Sequence, residues 1–175
     1  MQAAPSFAEI FRAHAPFAWR CLRRLGVSEA DADDVCQEVF LIVHRKLDAY
    51  DGRAPIRAWI YGICVKKASD HRRLAHKQRE RATDDVPARA DERGGPDDAL
   101  EGRRALARLD RALSELDDDK RAAFVLYEIE GLSLAEMAEA LGAPVQTLHS
   151  RLAAARAHVV SALGVAAQNT KGGAS

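Results

Sequence analysis

Residues 133–156, SLAEMAEALGAPVQTLHSRLAAAR, restrict this part of the chain to two short helices meeting at a tight turn. Ser133 can accept a backbone N–H at a helix start, and Glu136 three residues on completes a capping box. Leu134, Met137, Ala138 and Leu141 follow at helical spacing. Gly142 stands where a left-handed residue ends a helix, and Pro144, with fixed φ and no N–H, suits the start of the next. The pattern is a helix-turn-helix. In its second helix Val145, Leu148, Leu152, Ala155 and Val159 fall on one side at about 100° per residue. Gln146, Ser150, Ala153, Ala154 and Ala157 then face away, flanked by His149 and Arg151. No Asp or Glu occurs from Ala140 onward. A small, polar helix face with basic flanks can enter a DNA major groove without charge repulsion, although an ordinary helical hairpin has the same spacing.

The remaining chain reads as more helices. Ser6 and Glu9 form a second capping box, after which Phe7, Phe11, His14, Ala18, Cys21, Leu22 and Leu25 trace one helix face as far as Gly26. Ser28 opens another helix with Ala32, Val35, Cys36, Val39, Val43 and Leu47 inward and acid concentrated in its first turns, where the helix dipole favours it. Asp51-Gly52 is a turn, and Pro55 begins a third helix with Ile56, Trp59, Ile60 and Ile63 as its core stripe. These three helices are expected to share one small core, with Trp19 and Trp59 as large contributors.

Apolar periodicity vanishes from 82 to 96, where acids, Pro87 and Gly94-Gly95-Pro96 predict a flexible acidic linker. A helix near Asp97 repeats Leu106, Leu109, Leu113 and Leu116, and Asp117 to Asp119 start a further helix through Phe124, Val125 and Ile129 to Gly131. With no run of alternating β-branched residues, the fold class is all-α. Two small helical domains, 1–81 and 97–165, flank the linker; the second contains the helix-turn-helix, and 166–175 is read as a disordered tail.

Overall charge is balanced at 26 basic and 26 acidic residues, so its distribution carries the information. From Arg53 to Arg81 there are nine Lys and Arg against Asp70 and Glu80, nine minus two giving +7, which suits a polyanion. Cys21, Cys36 and Cys64 show no CxxC spacing and each sits in an apolar helical pattern, so buried reduced thiols are expected, with no metal and no cofactor. The N-terminus lacks a basic-then-apolar signal and no run of about 18 apolar residues exists. A cytoplasmic protein without membrane insertion is expected.

These motifs, in this order, resemble the compact bacterial sigma factors of the extracytoplasmic-function group, which carry helical regions two and four. The likeness covers about Phe7 to Arg73 and Asp97 to Leu163. Asp31-Ala32-Asp33-Asp34-Val35-Cys36-Gln37-Glu38-Val39-Phe40 is similar to the acidic motif that docks on a coiled coil of the polymerase largest subunit. The resemblance implies that Asp34, Gln37 and Glu38 contact core RNA polymerase; carboxylates there can pair with basic residues of the partner. Residues 57–73 look like the segment that recognises the minus-ten element, implying DNA roles for Arg57, Tyr61, Lys66, Lys67, Arg72 and Arg73. Capture of an opened strand needs aromatic or planar surfaces and cations. Tyr61, opposite the core stripe, is the expected aromatic; Trp59 is expected to pack. Lys66 replaces the family's usual Asn, and an ammonium, which only donates, suits phosphate contact.

In region four the resemblance implies minus-thirty-five contacts by Gln146, Thr147, His149, Ser150, Arg151, Ala153, Ala154 and Arg156. Two of those positions are alanines, which favours thymine-methyl and phosphate contact over base hydrogen bonds. The implied function is promoter-specific initiation without catalysis by the chain itself, with core polymerase, promoter DNA and an anti-sigma factor as partners. The alternative is a free-standing helix-turn-helix regulator acting as a dimer. An enzyme has little support, because no nucleophile grouping, phosphate loop or metal motif is present.

Overall fold

The computed structural model describes residues 6–81 and 97–164; the expected linker and tail lie outside them, as do the side chains of 79, 81 and 97–100. Seven α-helices make two helical domains, with no strand among the described residues. The first domain holds α1 (Phe7–Arg24), α2 (Glu29–Lys46) and α3 (Ile56–Arg81). The second holds α4 (Asp97–Ser114), α5 (Asp118–Phe124), α6 (Leu134–Leu141) and α7 (Val145–Leu163), with a π-helical turn over Val125–Ile129.

Local chemistry sets most of the boundaries. The Ser6/Glu9 and Ser133/Glu136 capping boxes are both closed, satisfying the first orphan N–H groups of α1 and α6. Ser28 and Asp117 cap α2 and α5 with the side chain alone, accepting from the Asp31 and Lys120 amides. Gly26, at φ 94°, turns the chain out of α1, and Val27 N–H reaches back to Leu22 C=O at 3.0 Å. Gly142, at φ 62° and ψ 34°, ends α6, and Pro144 precedes α7. Pro55 starts α3, its carbonyl accepting from the Ala58 and Trp59 amides.

The inner face of α2 is as the periodicity predicts: Ala32, Val35, Cys36, Val39 and Val43 are buried, joined by Phe40. The core of α3 differs from the expected stripe. Ile56, Trp59 and Ile63 are half-buried, whereas Ala58, Ile60, Tyr61, Cys64 and Ala68 are closed off from solvent. The reason is that α3 is covered twice, by α1 and α2 on one side and by α6 on another. A helix covered on two sides has no single stripe to read. Tyr61 heads the fully buried large side chains, and neither tryptophan is among them. Trp19 is half-buried, and its indole N–H donates to Asp33 at 2.8 Å.

In the second domain Leu113 and Leu116 enter the core, but Leu106 is 58 % exposed and Leu109 only half-buried. Residues 101–108 of α4 are exposed. Val145, expected inside, is exposed at the start of α7, while Leu148, Leu152, Ala155 and Val159 are buried as the spacing predicts.

Arg121 is the buried cation of this core, 2 % exposed. Nε donates to Leu113 C=O at 2.7 Å, and Nη2 to Ser114 C=O at 2.8 Å and Leu116 C=O at 3.2 Å. These are carbonyls left without helical partners where α4 ends. Nη1 crosses to Leu25 C=O at 3.2 Å, just beyond α1. Burial, with the nearby Arg72 charge adding to it, lowers the Arg121 pKa to about 10, so the group is charged at neutral pH. Arg121→Met keeps much of the bulk but removes four hydrogen bonds, leaving Leu113 C=O only its Leu116 N–H partner; the unfolding free energy is expected to fall by about 3 kcal/mol in a urea titration. A fall below about 0.5 kcal/mol would show that water fills these bonds equally well.

Candidate polymerase and promoter contact surfaces

On α2 the inward turn of the apolar residues leaves Asp34, Gln37 and Glu38 exposed on one side. Leu41, 56 % exposed, continues that side one turn further. Sequence reading missed it; the signal was an apolar residue at i+3 and i+4 from Glu38 and Gln37 yet off the inner stripe. Glu38 also faces α3, accepting from Lys67 Nζ at 2.6 Å. The acidic face and the basic face therefore meet at this pair.

Along α3 the expected DNA-facing residues are separated by the fold. Lys66 is exposed, and Lys67 is half-buried on Glu38. Arg73 pairs with Asp70 at 2.9 Å, and Arg72 pairs across the domains with Asp118. Arg57 is half-buried at the start of the helix. Tyr61 does not face outward. It is 0 % exposed, its ring lies 4.4 Å from that of Phe17, and its hydroxyl donates to Glu130 at 3.2 Å. Burial and the Glu130 charge push its pKa far above the usual range, fixing it as a neutral donor.

The accessible aromatic is instead Trp59, half-buried with its ring 5.1 Å from that of Tyr50. It borders two clefts. One, of about 230 Å³, is also lined by Tyr50, Arg53 and Glu139; the other, of about 310 Å³, by Lys46, Ile63, Lys66 and Lys67. A planar ring beside a cleft carrying three lysines combines what an unstacked base and its phosphate require. Lys46 and Arg53 were not singled out by sequence because they lie on other segments and only the fold brings them to Trp59. Ala140 of α6 edges both clefts.

On α7, Gln146, His149, Ser150, Ala153, Ala154 and Arg156 are exposed, while Thr147 and Arg151 are half-buried. The Ser150 hydroxyl donates to Thr147 C=O at 2.9 Å, leaving its lone pairs outward. Arg151 is paired with Asp119, and Arg156 with Glu128, its guanidinium lying 5.1 Å from the Tyr127 ring centroid. Both arginines are thus oriented by acids of α5 and of the π-helical turn. The face agrees with the helical-period reading, and the acidic partners were not foreseen.

Among the described residues no group of three or more His, Cys, Asp or Glu could hold a metal, and no helix is long and apolar enough to cross a membrane. Cys21, Cys36 and Cys64 are free and buried.

Comparison with known proteins identifies the family. Residues 10–78 match the model for sigma-70 region 2, and residues 106–159 that for sigma-70 region 4. The RNA polymerase sigma factor NccH of Alcaligenes xylosoxydans xylosoxydans is 31 % identical over 168 residues, covering 90 % of this chain and 87 % of NccH. The ECF RNA polymerase sigma factor SigM of Mycobacterium tuberculosis is 31 % identical over 159 residues, covering 91 % of this chain and 78 % of SigM. In fold, the chain is similar to the sigma factor RpoE of Bartonella quintana, solved with the anti-sigma factor NepR, at a TM-score of 0.71 and 21 % identity, covering 92 % of this chain and 98 % of RpoE. Two family models in the expected order, with relatives matched over most of both chains, lead to one conclusion: the chain belongs to the sigma-70 family of RNA polymerase sigma factors, in its extracytoplasmic-function group.

Proposed function

We propose that the three surfaces divide promoter-directed initiation between them. The α2 face, Asp34, Gln37, Glu38 and Leu41, docks on core polymerase: the polar groups set orientation and Leu41 supplies apolar area. The Trp59 clefts receive the opened minus-ten strand, with Lys46, Lys66 and Lys67 on its phosphates and the indole under a base. The exposed side of α7 lies in the minus-thirty-five major groove, with Ala153 and Ala154 against thymine methyls and His149, Arg151 and Arg156 on the backbone. The observation that carries this reading is the half-buried Trp59 beside the three-lysine cleft, on the helix adjoining the acidic docking face.

Sigma factors are generally initiation factors and not enzymes, and this chain is taken to follow them, bringing no catalysis of its own. Its workplace is the cytoplasm, with the polymerase. An anti-sigma factor is the expected regulator, a reading supported by family membership. The second reading, a free regulator that binds a palindromic duplex by itself, has no use for the α2 face or the Trp59 clefts.

Replacing Gln37 and Glu38 together by Ala is expected to weaken binding to core polymerase about tenfold or more while leaving the helical circular dichroism unchanged. Undiminished assembly would remove the α2 assignment. Trp59→Ala is expected to impair promoter opening, measured by permanganate reactivity of unpaired thymines, by about tenfold, whereas Tyr61→Phe leaves it near wild type. The reverse ranking would restore Tyr61 as the strand contact. Replacing His149 and Arg151 by Ala is expected to weaken promoter binding and reduce the salt slope by about one for each phosphate no longer neutralised; a steady slope would place both side chains off the backbone.

A further inference from the structure

Arg151 and Arg156 lie on opposite edges of the buried stripe of α7, each about 70° from its centre at about 100° per residue. The exposed row of Gln146, Ser150 and Ala153 runs between them on the outer side. α5 packs on α7 and continues into the π-helical turn. Along that segment Asp119 and Glu128 are 128 minus 119, or nine, residues apart. At about 1.5 Å per residue the span is about 13 Å, enough to cross a helix about 10–12 Å wide. Asp119 reaches the arginine on one edge, and Glu128 the arginine on the other.

The pairing leaves both guanidinium groups usable. Arg156 donates to Glu128 through Nε, so its two Nη groups remain for another acceptor, and the Tyr127 ring lies 5.1 Å from the guanidinium carbon. Arg151 donates to Asp119 through Nη2. The π-helical turn brings the neighbours Tyr127 and Glu128 to one guanidinium; its closing bond runs from Glu130 N–H to Val125 C=O at 3.0 Å, five residues back instead of four. Stability does not account for these pairs, because ion pairs this exposed contribute little to it. Attraction to DNA does not account for them either, since a carboxylate beside a phosphate-binding cation repels the phosphate. A fixed acid supplies direction. A long side chain held before DNA arrives loses less freedom on binding and presents its remaining N–H groups along one line.

We infer that Asp119 and Glu128 are positioning residues for minus-thirty-five recognition: they hold Arg151 and Arg156 as two guides, one for each phosphate wall of the groove, and so fix the rotation of α7 over the bases. The inference rests on the reading of α7 as the minus-thirty-five helix. The major groove, about 12 Å wide, has phosphates along both sides. Arginines free to swing would find phosphate at many rotations of the helix. Held at the two edges, they find it at the one rotation that turns Gln146 and Ala153 to the base edges. The acids thus lower affinity for every duplex, and the correct duplex regains it by meeting both guides. Discrimination rises as overall affinity falls.

The test uses holoenzyme assembled from core polymerase and the full chain. One DNA is a promoter fragment from a start mapped with the wild-type chain; the other is that fragment with its minus-thirty-five element scrambled. The ratio of the two affinities reads the discrimination due to α7. In the double variant Asp119→Asn with Glu128→Gln, neutral and near-isosteric, the ratio is expected to fall about tenfold, chiefly through tighter binding of the scrambled fragment, with the melting temperature unchanged. The charge-keeping double variant Asp119→Glu with Glu128→Asp is expected to stay within about threefold of wild type. Equal gains on both fragments overturn the inference, because the acids then only repel DNA. Equal losses overturn it as well, because the acids then only support the fold. A ratio lost as fully in the charge-keeping variant also overturns it, since charge is then not what holds the arginines. Failure of the α7 reading itself shows separately, as wild-type holoenzyme that binds both fragments equally; a wild type that discriminates, with the neutral variant discriminating as well, removes the guides alone.

Discussion

The guanidinium of Arg121 is the interaction on which the two-domain arrangement turns. Its donors are filled by backbone carbonyls, three at the end of α4 and one just beyond α1. One side chain therefore closes the α4–α5 corner and reaches the first domain. Because helix C-termini carry partial negative charge, a cation there is favoured without a carboxylate, and burial strengthens the interaction. Gly26, which has no Cβ to collide with Nη1, leaves room beside it. Remove the charge and the corner loses its cap together with one of the fastenings between domains.

From that corner the logic of the functional surfaces follows. The α5 helix is capped by Asp117, and in its first turn Asp118 pairs with Arg72 and Asp119 with Arg151. The π-helical turn that continues α5 delivers Glu128 to Arg156 and Glu130 to Arg24 and Tyr61. Most cations that the resemblance assigns to DNA are thus held by acids: Lys67 by Glu38, Arg72 by Asp118, Arg73 by Asp70, Arg151 by Asp119 and Arg156 by Glu128. Pairs this exposed contribute little to stability, about 0–1 kcal/mol each, so phosphate can displace them. Their effect is to orient the cations and to keep a neutral chain from binding nucleic acid indiscriminately.

Helix ends were legible from sequence because their chemistry is local. A serine three residues before a glutamate, or Gly-Ala-Pro between two apolar repeats, specifies its own geometry in a handful of residues, and Ser6, Ser133, Gly142 and Pro144 stand as read. What could not be read was the fate of a face covered by something distant. Tyr61 is buried, and not outward as the spacing predicts, because Phe17 of α1 and Glu130, some 70 residues further along the chain, close over it, while Trp59 is left half-buried. The same cause runs in reverse at Leu106 and Val145, where periodicity predicts burial but no neighbour arrives. The acidic α2 face was visible as composition, whereas the assembly of Lys46, Lys66 and Lys67 around Trp59 needed the fold.

The most direct test of this account is run-off transcription by sigma-free core polymerase on fragmented genomic DNA, with the purified chain added and every RNA start mapped. The account predicts defined starts that appear only with the chain present, each preceded by two shared sequence elements at constant spacing. Starts that are absent, or that share no paired elements, would contradict it.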